Sequence, residues 1–296
     1  MATTDASTAA GADIDIPDAA TERTVTANGQ QVHYLTAGDG DPTLLLLHGG
    51  IIDAAHITWG EHIGPLAEHA TVVAPDLPGY GASPVPDGEW SVPHHVDTVV
   101  AMLAELDVES AVLAGVSMGG GVAVGVGLEA PERVARLVAF DPFALGGGLP
   151  NGRLSWLLAN VQVTNYLSVA LMRRSRGFVE SSVNGLCSGD NEVSDVTVDR
   201  VFQAVQRPNA GAAFRKLRDY EVTRQGYRTD YSPRLGELAM PTRFVHGRED
   251  DLIPLSVSAR ADEQTPDSEL VVLDGCGHIP PLELPERSRE LLVDVL

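Results

Sequence analysis

AVLAGVSMGG, residues 111–120, is a fully apolar run that ends on a serine set between glycines. Ala111 to Val116 reads as a strand buried on both faces, and the small-residue stretch that follows, to about Ala130, reads as a helix. The spacing Gly115-x-Ser117-x-Gly119 therefore puts the serine on the tight turn between strand and helix. Such a turn strains the serine backbone and brings neighbouring chain close, so glycines flank it and the hydroxyl is lifted above the sheet. The competing reading is a glycine-rich turn with an incidental serine. The strand before and the helix after weigh against that reading.

Working outward, the chain alternates apolar strands with helical patterns. TLLLLHGG (43–50), TVVAPDLPGYGAS (71–83), ARLVAFDPF (135–143), TRFVHG (242–247) and ELVVLDG (269–275) are strand-like, and Asn28-Gly29 marks a hairpin within residues 22–36. This pattern predicts an α/β fold: a mostly parallel central sheet of about eight strands, with helices on both faces. The beat stops at Gly146-Gly147-Gly148 and resumes near 235. Residues 146–234 show only helical patterns, which predicts an inserted helical cap, or lid, between core segments 22–145 and 235–296. Residues 1–21 are small, polar and acidic and read as a disordered leader without the basic and apolar regions of a signal peptide.

Composition narrows the partners. The chain of 296 residues holds 41 Asp and Glu against 20 Lys and Arg, a formal net charge of -21, and Lys216 is its only lysine. Such a surface repels nucleic acid and anionic membranes, and no apolar run is long enough to cross a bilayer. A function as a cation buffer competes with a blander reading, solubility in concentrated salt, where screening removes self-repulsion. Low lysine with abundant Asp, Ala and Val resembles proteins of salt-loving archaea. Cys187 and Cys276 have neither metal spacing nor a disulfide framework, which fits free thiols in a cytoplasmic protein.

HGG (48–50), DLPGYGAS (76–83), GVSMGG (115–120), HGREDDLIP (246–254) and GCGHIPPLELPE (275–286) occur in an order and spacing that resemble the α/β-hydrolase fold family, over roughly residues 22–296. The resemblance implies a Ser…Asp…His triad with Ser117 as nucleophile, His278 as general base, and no cofactor or metal. It implies an oxyanion hole from the backbone N–H groups of Met118 and Gly50, with Ile51 as the alternative second donor. His48 is expected to brace that loop, and Asp76 and His246 to be structural hydrogen-bonding groups at strand ends. His56, His62, His94 and His95 lack metal spacing.

The acid is harder to place, because HGREDDLIP offers Glu249, Asp250 and Asp251 in a row. A short carboxylate on a fixed turn is favoured over Glu249, but this leaves Asp250 and Asp251 open. The family pattern of Gly, two variable residues, Asp, and Pro four positions on matches Gly247, Asp250 and Pro254, so the resemblance implies Asp250.

The expected activity is hydrolysis of a carboxylic ester, or a related acyl bond, of a small to medium apolar molecule. A carbon–carbon bond hydrolase of the meta-cleavage type is the alternative, weakened by Val116 where that subfamily usually has asparagine. A cofactor-free haloperoxidase-like perhydrolase, and a non-catalytic ligand-binding protein, are further readings. Trp156, Leu157, Leu158, Tyr166, Leu167, Leu171 and Met172 would line the apolar pocket or simply pack the cap. Arg173, Arg174 and Arg176 would meet a substrate carboxylate or pair with surface acids. Monomer and homodimer fit the sequence equally.

Overall fold

The computed structural model describes residues 15–85, 88, 90–146, 162–189, 191–208, 210–224 and 226–296. Most of the expected leader lies outside them, as do residues 147–161 with Trp156, Leu157 and Leu158. The end of the leader stretch touches the fold: Ile16 and Ala20 pack against the core, and Asp15 pairs with Arg200 at 3.0 Å.

Eight strands form one sheet: β1 (Thr21–Ala27), β2 (Gln30–Ala37), β3 (Thr43–Leu47), β4 (Thr71–Pro75), β5 (Ala111–Val116), β6 (Val134–Phe140), and, after a short ribbon β7 (Val222–Thr223) and β8 (Gly226–Tyr227), β9 (Thr242–Gly247) and β10 (Ser268–Leu273). Their order across the sheet is β1-β2-β4-β3-β5-β6-β9-β10. Only β2 runs against its neighbours; the pairs β4/β3, β3/β5, β5/β6, β6/β9 and β9/β10 are parallel. Asn28 and Gly29, at φ 49° and 73°, close the β1–β2 hairpin with Ala27 opposite Gln30. Two central positive φ values are what an Asn-Gly turn supplies most readily.

The two-residue period of each strand sorts its side chains onto two separate cores. On β3, Leu45 and Leu47 join one core and Leu44 and Leu46 the other; on β5, Leu113 faces the first and Val112, Ala114 and Val116 the second. Helices α1 (Ala55–Thr58), α2 (Gly60–Leu66), α3 (Val92–Glu105) and α4 (Met118–Glu129) cover these faces, with α4 buried along almost its whole length. A sheet buried on both faces needs near-continuous apolar strands, which is why β3 and β5 carry no charge.

Between residues 162 and 221 lie four described helices: α5 (Gln162–Met172), α6 (Arg176–Asn184), α7 (Asp195–Gln206) and α8 (Ala212–Glu221). Val179, Val193, Val198, Val201 and Val205 from this block form a third core with Ala54 and Ile57. The chain ends with α9 (Ser256–Gln264), α10 (Pro280–Glu283) and α11 (Pro285–Val293). Among the described residues no helix is long and apolar enough to cross a membrane.

Candidate active site

The strand order reverses between β3 and β5, so the loops leaving their C-terminal ends diverge and open a crevice. Ser117 lies there, directly after β5, at φ 53° and ψ -115°. A non-glycine residue in this region is strained, and its surroundings hold it in place. Ser117 N donates to Phe140 O at 2.8 Å, and its carbonyl accepts from Phe143 N at 2.9 Å. The flanking glycines are sterically required: a β-carbon on Gly115 would stand 2.2 Å from Gly119 O, and one on Gly119 would stand 2.4 Å from Leu47 O.

His278 and Asp250 reach this serine from the loops after β10 and β9. His278 Nε2 lies 3.0 Å from Ser117 Oγ, and His278 Nδ1 lies 2.7 Å from Asp250 Oδ2. The other oxygen of Asp250 accepts from Leu252 N at 2.7 Å and Ile253 N at 2.9 Å. Burial pushes this carboxyl up, but the hydrogen bond and charge of His278, with the two N–H groups, outweigh it and hold it below the usual range. An ionised Asp250 only accepts, so Nδ1 carries the imidazole proton and Nε2 is free to accept from Ser117 Oγ–H. The imidazole is thereby set as a base toward the hydroxyl.

The three acids of HGREDDLIP separate by contact. Asp250 meets His278; Glu249 accepts from Cys276 N at 3.1 Å and so ties the loop before His278 to the loop after β9; Asp251 is exposed.

Gly49 and Gly50 lie against the nucleophile turn. A β-carbon on Gly49 would stand 3.8 Å from Ser117 Cβ, and one on Gly50 would stand 3.9 Å from Met118 Cβ. Met118 opens α4, where first-turn N–H groups have no helical acceptor and point toward incoming negative charge. His48 braces the loop: Nδ1 donates to Gly49 O at 2.7 Å, and Nε2 accepts from Leu77 N at 3.0 Å. Ile51, exposed and β-branched, sits at φ 60°, a strained conformation next to the proposed donors.

Several groups around the site escaped sequence reasoning. Asp53 accepts from Gly49 N at 2.8 Å and fixes the glycine loop. Glu283 accepts from Gly277 N at 2.7 Å and from Ser188 N at 2.7 Å, while His278 N donates to Leu186 O at 2.8 Å. These bonds tie the segment after α6 to the histidine loop. From α8, the Phe214 ring approaches within 3.1 Å of the point where a β-carbon on Gly50 would be. Asp141, at the end of β6, is fully buried beside Asp250. Its location at the carboxyl end of a parallel strand was the one signal available in the sequence.

Other expected groups fall elsewhere. Asp76 accepts from Ala55 N, Ala82 N and His33 Nδ1, each within 2.8 Å, and joins three segments. His246 bonds Ser258 and Ile253. Arg176 pairs with Glu180, Asp195 and Asp199, and Arg173 donates to the carbonyls of Val205, Arg207 and Pro208, so both are engaged within the helical block. Leu167 and Leu171 are exposed, whereas Met172 packs into the third core.

Residues 42–285 match the alpha/beta hydrolase fold family, and the chain belongs to it, as an enzyme of that family. It is 30% identical to the 2-hydroxymuconate semialdehyde hydrolase of Pseudomonas sp. (strain CF600), over 93% of this chain and 93% of that one. Among solved structures it is similar to a membrane phospholipase A described as a bacterial virulence factor, with TM-score 0.75 and 26% identity over 94% of this chain and 86% of that one. A serine hydrolase involved in carbazole degradation superposes with TM-score 0.78 at 22% identity, over 94% of this chain and 98% of that one, a likeness of fold alone. The named relatives come from bacteria, so the resemblance to salt-loving archaeal proteins finds no support among them and rests on charge balance only.

Proposed function

We propose that the protein is a serine hydrolase that cleaves a carboxylic ester, or a related acyl bond, of a small to medium apolar substrate. The observation that carries this reading is the continuous hydrogen-bonded chain Ser117–His278–Asp250 at 3.0 and 2.7 Å. Ser117 Oγ attacks the acyl carbon while His278 Nε2 takes its proton, and Asp250 stabilises the imidazolium. The N–H groups of Met118 and Gly50 receive the oxyanion. His278 then protonates the departing alcohol, and water, deprotonated by the same imidazole, releases the acid from Ser117.

Apolar character is supported by the groups beside the serine: Met118, Phe214, and Phe143 set edge-on to Tyr227 at 4.7 Å between ring centroids. In this reading helices α5 to α8 form the cap over the crevice, in keeping with the Phe214 approach and the bonds from residues 186 and 188 to the histidine loop.

One relative favours a second reading. The 30% identity to a 2-hydroxymuconate semialdehyde hydrolase points to carbon–carbon cleavage next to a carbonyl, with the same three residues. Val116 before the serine, where the meta-cleavage subfamily usually has asparagine, weighs against it. The test is a panel of short p-nitrophenyl esters, lactones and a vinylogous diketone. Ester turnover that disappears in Ser117→Ala supports the first reading; turnover of the diketone alone replaces it with the second.

A further inference from the structure

Beside the His278–Asp250 pair lies a second carboxyl that the mechanism above leaves unused. Asp141 is completely buried, with its backbone at φ 41°. Oδ1 accepts from Gly247 N at 3.0 Å, while Oδ2 is buried and meets no donor among the described residues. One side-chain atom each of Asp141, Asp250 and His278 lie within 4.8 Å of one another.

Among the described residues, the neighbours supply no cation to Asp141. His246 Nε2 is 3.4 Å from Asp141 Oδ1 and 3.6 Å from Asp250 Oδ2. However, Ile253 O, 2.9 Å from that nitrogen, can only accept, so Nε2 carries a proton and gives it to Ile253. Nδ1 then accepts from Ser258 Oγ at 2.7 Å, and burial lowers this imidazole from its ordinary value, so the ring is neutral. Glu283 and the Cys276 thiol also face the group and add no positive charge. His278 is committed to Asp250. Two ionised carboxylates here would repel at short range in a dry interior. Asp250 has three N–H donors and Asp141 has one, so the negative charge belongs on Asp250.

We propose that Asp141 is held protonated and donates its Oδ2–H to the Asp250 carboxylate, as a positioning residue for the partner of His278. This rests on the proposed triad. Burial and the Asp250 charge push the Asp141 carboxyl well above the usual range, in the direction the geometry requires. With that fourth donor, all the lone-pair sites of Asp250 are filled. The carboxylate is fixed in orientation, and its pull on the imidazolium formed during turnover is moderated.

The test uses the full-length protein and two variants. Asp141→Asn keeps a carbonyl for Gly247 N and an N–H for Asp250, and asparagine tolerates positive φ; Asp141→Gly removes the side chain without adding backbone strain. Infrared spectra at pH 7 should contain a protonated-carboxyl stretch that both variants lack. In Asp141→Gly the acid limb of kcat/KM should move to higher pH by about half a unit or more, with about a tenfold loss near neutrality. Asp141→Asn should restore both. No difference band between wild type and Asp141→Asn, or an acid limb that Asp141→Asn moves to lower pH as a lost negative charge would, overturns the proposal. If the glycine variant does not fold, the spectrum and the asparagine profile decide. The infrared arm needs no substrate, so its failure is separate from failure of the ester-hydrolase reading.

Discussion

Ser117 and His278, 161 positions apart in the chain, place Oγ and Nε2 at 3.0 Å, with the imidazole held from behind by Asp250. In the proposed mechanism, the proton path from hydroxyl to imidazole is thus set before substrate arrives. Ser117→Ala should lower ester turnover by about 10⁴-fold or more, and Asp250→Asn by about 10⁴-fold, because an amide favours the wrong tautomer. Asp251→Asn, at an exposed position without a bond to His278, should stay within about twofold of wild type. Steady-state kinetics of the three variants checks this; a large loss at position 251 alone would move the proposed acid by one residue.

In the proposed ester-hydrolase reading, Phe214 limits the acyl group. Its ring stands where it would crowd any atom added to Gly50, one of the two proposed oxyanion donors, and it comes from a helix that packs through Ala213 and Leu217 into the core. In the proposed binding mode, with the carbonyl oxygen at Gly50 and Met118, the acyl group runs along this ring. Phe214→Ala should shift the optimum p-nitrophenyl ester toward longer chains and raise KM for acetate about tenfold or less, with kcat little changed, since the lost contact is with the bound acyl group. An unchanged chain-length profile would remove Phe214 from the pocket wall.

How much of this was visible in the sequence follows from where each interaction is encoded. The sheet was legible because its central strands β3 and β5 are apolar on both faces, and the hairpin because Asn28-Gly29 needs only its two residues. Ser117 was legible for the same local reason: the glycines that make its turn possible are its neighbours. Asp53, Asp141, Glu283 and Phe214 were not, because each acts on a group brought near by folding. Glu283 holds Ser188 from 95 positions away, and nothing in the local pattern of either segment states that pairing. Asp141 looked like one more acid in a chain rich in them. Beyond its place after a parallel strand, what sets it apart is burial without a cation among the described residues.

The buried histidines predict how the protein responds to acid. Burial lowers His56 and His62 to about 4 and His95 to about 3, against an ordinary value near 6.5. The folded values lie below the unfolded ones, so the unfolded chain binds more protons. Stability is therefore fully present above the unfolded value and is lost as pH falls from about 6.5 toward 4. Burial lowers His246 as well, whereas His33, raised against burial by the Asp76 hydrogen bond and charge, works in the opposite direction as one group against four. His95 is the most informative to change: both ring nitrogens are buried and meet no partner among the described residues, and the ring packs 6.2 Å from Tyr80. His95→Phe should raise the denaturant midpoint more at pH 5 than at pH 8. An equal gain at both would show that this ring takes up no extra proton on unfolding.

The charge surplus makes the last prediction. A net charge of -21 places acids close together over the surface, and several arginines are already shared between two or more of them: Arg243 meets Glu269 and Asp294, and Arg176 meets Glu180, Asp195 and Asp199. The unpaired remainder repels, and expansion on unfolding relieves it. At about 1 M salt the screening length falls to about 3 Å, so repulsion between neighbouring exposed acids largely disappears, while exposed ion pairs each lose little. The urea midpoint should therefore rise as KCl increases from about 0.1 to about 1 M, with most of the gain at the lower end. Sucrose of equal osmolality is the control for a general exclusion effect. A midpoint that falls steadily with KCl would mean that the paired arginines outweigh the repulsion, and would remove the physical basis for reading this surface as an adaptation to salt.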